Sequence, residues 1–279
     1  MSIRSIPNSI PANEIDFVHD PRKTNTIRLF DDFIGGALNT GIAAKFHTFG
    51  TTSGGVWNAA ASFDTLEPTG FESFGTVQAE TNTGATARSL MHLAQLVSNS
   101  PADGDRWLWE VRVRPELASG NGFWSMSIVR ADGGDGFFTV DGIPGTNNRP
   151  RCSVFAKKDN VSWKTHVSDS ESSQAGTTGF AQFTNDLGGL TRIDYNDDTF
   201  VRIAALVTYE ASGTKYDVKF FIDGVQIFNT ELTAGSGSPF GKCFLYNNGT
   251  GAVQRATYDW SLIQFPRTEA VDFIDIDTL

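Results

Sequence analysis

Short runs of alternating apolar and polar residues, cut by small polar turns, fill the middle of the chain. WLWEVRVR (107–114) sets Trp107, Trp109, Val111 and Val113 on one side and Glu110, Arg112 and Arg114 on the other, the period-two pattern of a half-buried strand. GVWNAAAS (55–62), FESFGTVQAE (71–80), GFWSMSIVR (122–130), FVRIAALVTY (200–209) and TYDWSLIQF (257–265) read the same way. Between them lie NSPADGD, ASGNG, ADGGDG, PGTNN and GSGSP, turn sequences whose Gly, Asn, Asp and Ser accept backbone conformations that strands do not. TARSLMHLAQL (86–96) has some helical character, but its flanks favour a strand. FFIDGVQIF (220–228) predicts a hairpin turning on Asp223-Gly224, because a type I′ turn needs positive φ at both central residues. The expected register sets Ile222 against Val225, Phe220 against Ile227 and Val218 against Asn229, with Lys219, Phe221 and Gln226 on the opposite face. A lone hairpin is marginal in water, so this one must belong to a larger sheet with a covered apolar face. Strands at hairpin spacing throughout predict an all-β fold, a two-sheet antiparallel sandwich or barrel.

The two ends break the pattern. Residues 1–28 carry three prolines and no clean period, which predicts an extended N-terminal arm rather than a helix. Ile3, Ile6, Ile10, Ile15, Phe17 and Val18 make that arm too oily for a purely solvating tail. Residues 29–266 form the sandwich domain. The tail, 267–279, alternates acids with Val271, Phe273, Ile274 and Ile276. Both ends are expected to lie in a groove or add a strand to a neighbour's sheet edge, and so to mediate assembly.

Composition narrows the function classes. A chain of 279 residues with 39% hydrophobic content can bury a sizeable core. No apolar run approaches the roughly 18 residues of a membrane helix, and the first residues lack the apolar core of an export signal. Against 32 Asp and Glu stand 22 Lys and Arg, a formal charge of −10 without a run of basic residues, which argues against nucleic acid as the principal partner. Cys152 and Cys243 sit in strand-like runs and are expected to be small buried thiols. His19, His47, His92 and His166 show no ligand spacing for zinc.

Several motifs carry a resemblance. LFDDFIGGALNTG (29–41) is similar to the opening strand of laminarinase-like glycoside hydrolases and the wider concanavalin A-like lectin and glucanase jelly rolls. WEVRVRPELASGNGFWSMSIV (109–129) resembles their E-x-R strand and the Gly-aromatic strand after it. YDVKFFIDGVQIFN (216–229) resembles their late Asp-Gly hairpin, and TYDWSLIQF their last strand. The resemblance spans roughly residues 29 to 265 and implies a jelly-roll sandwich. It also implies where catalytic carboxylates would stand, in an E-x-D-x-x-E or E-x-D-x-E strand soon after the Gly-aromatic one.

That place is occupied by GDGFFTVDGIPG (134–145), which has no glutamate. A retaining glycosidase needs two carboxyl groups about 5 to 5.5 Å apart. Asp135 and Asp141, six residues apart, would stand roughly 20 Å apart on an extended strand. Glu110 matches the E-x-R glutamate, which does not belong to the catalytic pair in those hydrolases. The expectation is therefore a protein without enzymatic activity. Asp132, Asp135 and Asp141 are the weak candidates for a structural calcium site, although acid-glycine turns also occur without metal; no other cofactor is expected. DYNDD (194–198) opens like a calcium loop but has Thr199 and Ala205 where the motif needs Gly and Glu.

Three functions fit. One is a bacteriophage virion structural protein, such as a capsid decoration or cement protein, its arms gripping the major capsid protein or other virion proteins, with a trimer the favoured homo-oligomer. Another is a carbohydrate-binding or receptor-binding module, with Trp57, Trp124 and Trp163 as candidates for stacking on a surface glycan, weighed against the core role that strand aromatics commonly have. The third is a divergent glycoside hydrolase. The missing carboxylate pair, the terminal arms and the absence of an export signal favour the virion reading.

Overall fold

The structure, a computed structural model, describes residues 26–31, 47–52, 76–81, 88–93, 101–118, 122–130, 151–157, 163–168, 181–182, 199–233, 239–246 and 252–266. Among these residues every regular element is a strand. In chain order they are β1 (Thr26–Asp31), β2 (His47–Thr52), β3 (Val77–Glu80), β4 (Arg88–Leu93), β5 (Arg106–Glu116), β6 (Phe123–Arg130) and β7 (Arg151–Lys157). Then follow β8 (Lys164–Ser168), β9 (Ala181–Gln182), β10 (Val201–Glu210), β11 (Lys215–Ile222), β12 (Val225–Thr233), β13 (Pro239–Tyr246) and β14 (Arg255–Pro266). The segment with helical character, TARSLMHLAQL, contributes strand β4. β1 begins at Thr26, so the last residues assigned to the N-terminal arm belong to the sheet. GVWNAAAS lies outside the described residues.

Two seven-stranded antiparallel sheets result. The first runs β1-β14-β5-β10-β11-β12, with β3 also paired to β14; the second runs β2-β4-β13-β6-β7-β8-β9. One apolar cluster joins them. Trp107, Trp109, Val111 and Val113 of the first sheet share it with Trp124, Met126, Ile128, Val154 and Leu245 of the second. The alternation in WLWEVRVR is thus a true strand period with its oily side inward. β13 passes so close over β5 that a Cβ on Gly241 would stand 2.9 Å from the Trp109 ring, and only glycine lets the two sheets meet there.

The hairpin folds on the expected turn, with Asp223 at φ 48° and Gly224 at φ 84°. Its tip is pinned to the start of β10. The Arg202 backbone N–H donates to Asp223 Oδ1 at 2.9 Å, and the Asp223 N–H donates to the Arg202 carbonyl at 2.8 Å. Ile222 pairs with Val225 as expected, but a bulge then shifts the ladder, so that Phe220 faces Phe228 rather than Ile227 and Val218 faces Thr230 rather than Asn229. The extra residue in β12 lets both Phe228 and Leu232 reach the core. A second bulge, at Asp259 in β14, turns Tyr258 inward and places Trp260 on the opposite face, where Asp259 pairs with Arg112.

The outward face of the first sheet is not simply polar. Leu108, Ala204, Leu206, Phe221 and Leu262 form a second buried cluster there, flanked by Trp260. Phe30, the exposed large apolar side chain at 47%, lies beside Trp260 with ring centroids 5.9 Å apart. Glu110 is fully buried on this face, near Arg28; burial pushes the Arg28 guanidinium down and the charge of Glu110 opposes that shift.

Candidate functional site

The second sheet turns one face to the core and the other away from it. Trp124, Met126 and Ile128 of β6, Cys152, Val154 and Ala156 of β7, and Cys243 and Leu245 of β13 face inward. Alternation therefore gives the other face to Ser125 and Ser127 of β6 and Ser153 of β7. The register aligns these positions into rows across the strands. One row reads His92, Lys242, Ser127, Ser153, His166. The next reads Leu90, Phe244, Ser125, Phe155, Lys164, and the next Arg88, Tyr246, Phe123, Lys157.

Serines occupy the middle of this face. Ser125, Ser127 and Ser153 are all buried, and the hydroxyls of Ser125 and Ser127 have no hydrogen-bond partner among the described residues. Ser125 and Ser127 are 0% and 1% exposed, so neither hydroxyl is open to a ligand on this face.

The two tryptophans proposed for sugar stacking that can be located are core residues, which corrects the expectation for them. Trp124 and Trp163 are fully buried and pack edge to face, with centroids 5.8 Å apart at 88°. The Trp124 indole N–H donates to the Tyr258 hydroxyl at 2.9 Å, tying β6 to β14 across the sandwich. A ring with no exposed face cannot stack on a sugar. Strand parity could have shown this for Trp124, which shares its side of β6 with Met126 and Ile128.

The remaining candidates divide simply. Trp57, the calcium candidates Asp132, Asp135 and Asp141, and the arm residues Ile3, Ile6, Ile10, Ile15, Phe17, Val18, Val271, Phe273, Ile274 and Ile276 lie outside the described residues. Among the described residues no group of three or more His, Cys, Asp or Glu could hold a metal ion, and no helix is long and apolar enough to cross a membrane. Cys152 and Cys243 are free buried thiols, as expected, and burial pushes both well above the ordinary thiol range, which removes them as nucleophiles. Glu110 belongs to the opposite sheet and faces away from the core, a full sandwich thickness from the serine rows.

The architecture has solved counterparts. An endo-1,3-beta-glucanase from Streptomyces sioyaensis superposes with a TM-score of 0.52 at 12% identity, over 88% of this chain and 98% of that one. The carbohydrate recognition domain of Emp47p superposes at 0.50 and 14% identity, over 88% of this chain and 96% of that one. The fold is the concanavalin A-like jelly roll. No protein-family model matches the sequence, and no curated protein does. At these identities the likeness concerns the jelly roll itself and not what it binds.

Within this jelly roll, the strand after β6 that pairs with it is β7, RCSVFAK. The resemblance set the catalytic strand at 134–145, a segment outside the described residues; the position beside β6 belongs to 151–157. That strand contains no carboxylate.

Proposed function

We propose that this chain is a glycan-binding jelly roll without catalytic activity. The observation that carries this reading is β7, RCSVFAK, which pairs with β6 where the resemblance sets the catalytic strand and has no acid to cleave a glycosidic bond. The solved counterparts, a glucanase and a carbohydrate recognition domain, support the same direction by analogy of fold.

The virion reading, with arms that grip neighbours, rests on segments outside the described residues, and no observation on the described strands favours it. Affinity electrophoresis through gels containing laminarin, dextran, polygalacturonate or heparin, with a reducing-end assay on the same polysaccharides, tests the proposal. The expected result is retardation by at least one of them with no release of reducing ends. Retardation by none would remove the binding claim, and released reducing ends would remove the non-catalytic one.

A further inference from the structure

One corner of the first sheet's outward face keeps large side chains in contact with water. Phe30 of β1 is 47% exposed and lies against the partly buried Trp260 of β14, with ring centroids 5.9 Å apart and the rings tilted by 40°. Trp260 stands opposite Arg112 of β5 in the ladder. The Arg112 side chain, 39% exposed, donates to the Asp259 carboxylate, whose side chain is 16% exposed. Its guanidinium lies 4.7 Å from the centre of the Phe200 ring, and that of Arg114 lies 5.1 Å from the same ring. We infer that this corner is a glycan-binding site and that the glycan it takes is uncharged. The inference deepens the glycan-binding reading and rests on it.

The physical argument has three parts. A sugar ring has an apolar face, which packs on aromatic rings that water still reaches. Trp107, Trp109, Trp124 and Trp163 are buried, whereas Trp260 keeps exposed surface and has the open Phe30 ring beside it. The rim of a sugar needs donors and acceptors side by side. The Arg112 guanidinium carries more N–H donors than one carboxylate oxygen uses, and the Asp259 carboxylate keeps lone pairs to accept from a hydroxyl. Charge then decides the class of glycan. Asp259 matches Arg112, and Glu116 Oε1 accepts from Arg114 Nε at 2.9 Å and lies 2.8 Å from its Nη2. Each cation of the corner thus already faces a carboxylate, and a chain of formal charge −10 repels a polyanion at long range. From β1 through β14 to β5 the corner spans about 10 Å at the ordinary interstrand spacing of about 4.8 Å, room for more than one ring of a polysaccharide.

The test measures binding of the full chain to laminarin, dextran, polygalacturonate and heparin, by retardation in gels and by tryptophan fluorescence. The expected result is binding to laminarin or dextran in preference to the two anionic polysaccharides, nearly independent of sodium chloride, with a change in tryptophan emission. Phe30→Ala and Asp259→Asn should each bind the neutral glycan about fivefold or more weakly, and Phe30→Tyr should bind close to the wild type. Trp260→Phe should retain most of the binding and lose the emission change. Lys215→Gln, at the far side of the same sheet, should bind like the wild type. Should Asp259→Asn melt well below the wild type, Phe30→Ala, which alters an exposed side chain, gives the same comparison. Preference for polygalacturonate or heparin overturns the inference and leaves the glycan reading standing, whereas binding to no polysaccharide overturns both. Unchanged affinity in Phe30→Ala and Asp259→Asn, or an equal loss in Lys215→Gln, also overturns the inference.

Discussion

Single residues decide how closely the two sheets can approach. Gly241 lies against the Trp109 ring, and replacing it with alanine forces an added carbon into an aromatic wall. Gly241→Ala is expected to destabilise the protein by about 1–3 kcal/mol, the usual cost of overpacking, seen as a lower urea midpoint with an unchanged slope. A polar residue does comparable work at the edge of the core. Gln254 is buried; its Oε1 accepts from the Ala118 N–H at 3.0 Å, its backbone N–H donates to Thr81 Oγ1 at 2.9 Å, and its carbonyl accepts from the Thr81 N–H at 2.9 Å. Gln254→Ala keeps the backbone bonds but strands the Ala118 amide, which should cost about 1–3 kcal/mol. A loss below about 0.5 kcal/mol in the same urea titration, the ordinary scatter of surface substitutions, would mean that water replaces the amide. At this scale the sequence was only partly legible. That Trp124 and Trp163 are large strand aromatics was plain, but their choice between a sugar and the core depended on parity, which each strand's start and end must fix.

Strands and their irregularities set which side chains share a face. The hairpin turn was readable because Asp-Gly has a specific backbone requirement, and both residues have positive φ. Gly224→Ala should therefore destabilise by about 1 kcal/mol through the left-handed backbone alone, with Gly224→Asn tolerated better. Equal stability of the alanine and asparagine variants in thermal melts would contradict that origin. The two bulges were not readable. An inserted residue in β12 or β14 has no local chemical signature, because it is chosen by the fit of the whole ladder and not by its own preference. Period-two reading held up to each bulge and reversed beyond it. The outward apolar cluster on the first sheet was likewise hidden, since Leu108 and Leu206 sit in runs that read as one buried side and one wet side.

For the molecule as a whole, the sandwich followed from strand count, turn spacing and the order of the resemblance motifs, while the division of the strands between the two sheets emerged only from their pairing. The buried acids of the core make stability depend on pH. Burial raises the Cys152 and Cys243 thiols from 9.0; for the Tyr258 hydroxyl, burial and then the Cys243 charge raise it from 10.0, against the hydrogen bond from Trp124. Because the folded-state values lie above the unfolded ones, these groups keep their protons in the folded state after the unfolded chain has released its own. The unfolded state then binds fewer protons, and stability falls as pH rises. The decline should begin near pH 9.0 and steepen near 10.0, by about 1.4 kcal/mol per pH unit for each group. Urea midpoints measured from pH 8 to 11 check it, and Cys152→Ala with Cys243→Ala should flatten the first part of the decline.

The central claim is that the chain binds a glycan without cleaving it, and affinity electrophoresis through laminarin, dextran, polygalacturonate and heparin gels, with a reducing-end assay on the same polysaccharides, tests it most directly. Retardation by at least one of them with no release of reducing ends is the predicted result. Retardation by none, or released reducing ends, would contradict the account.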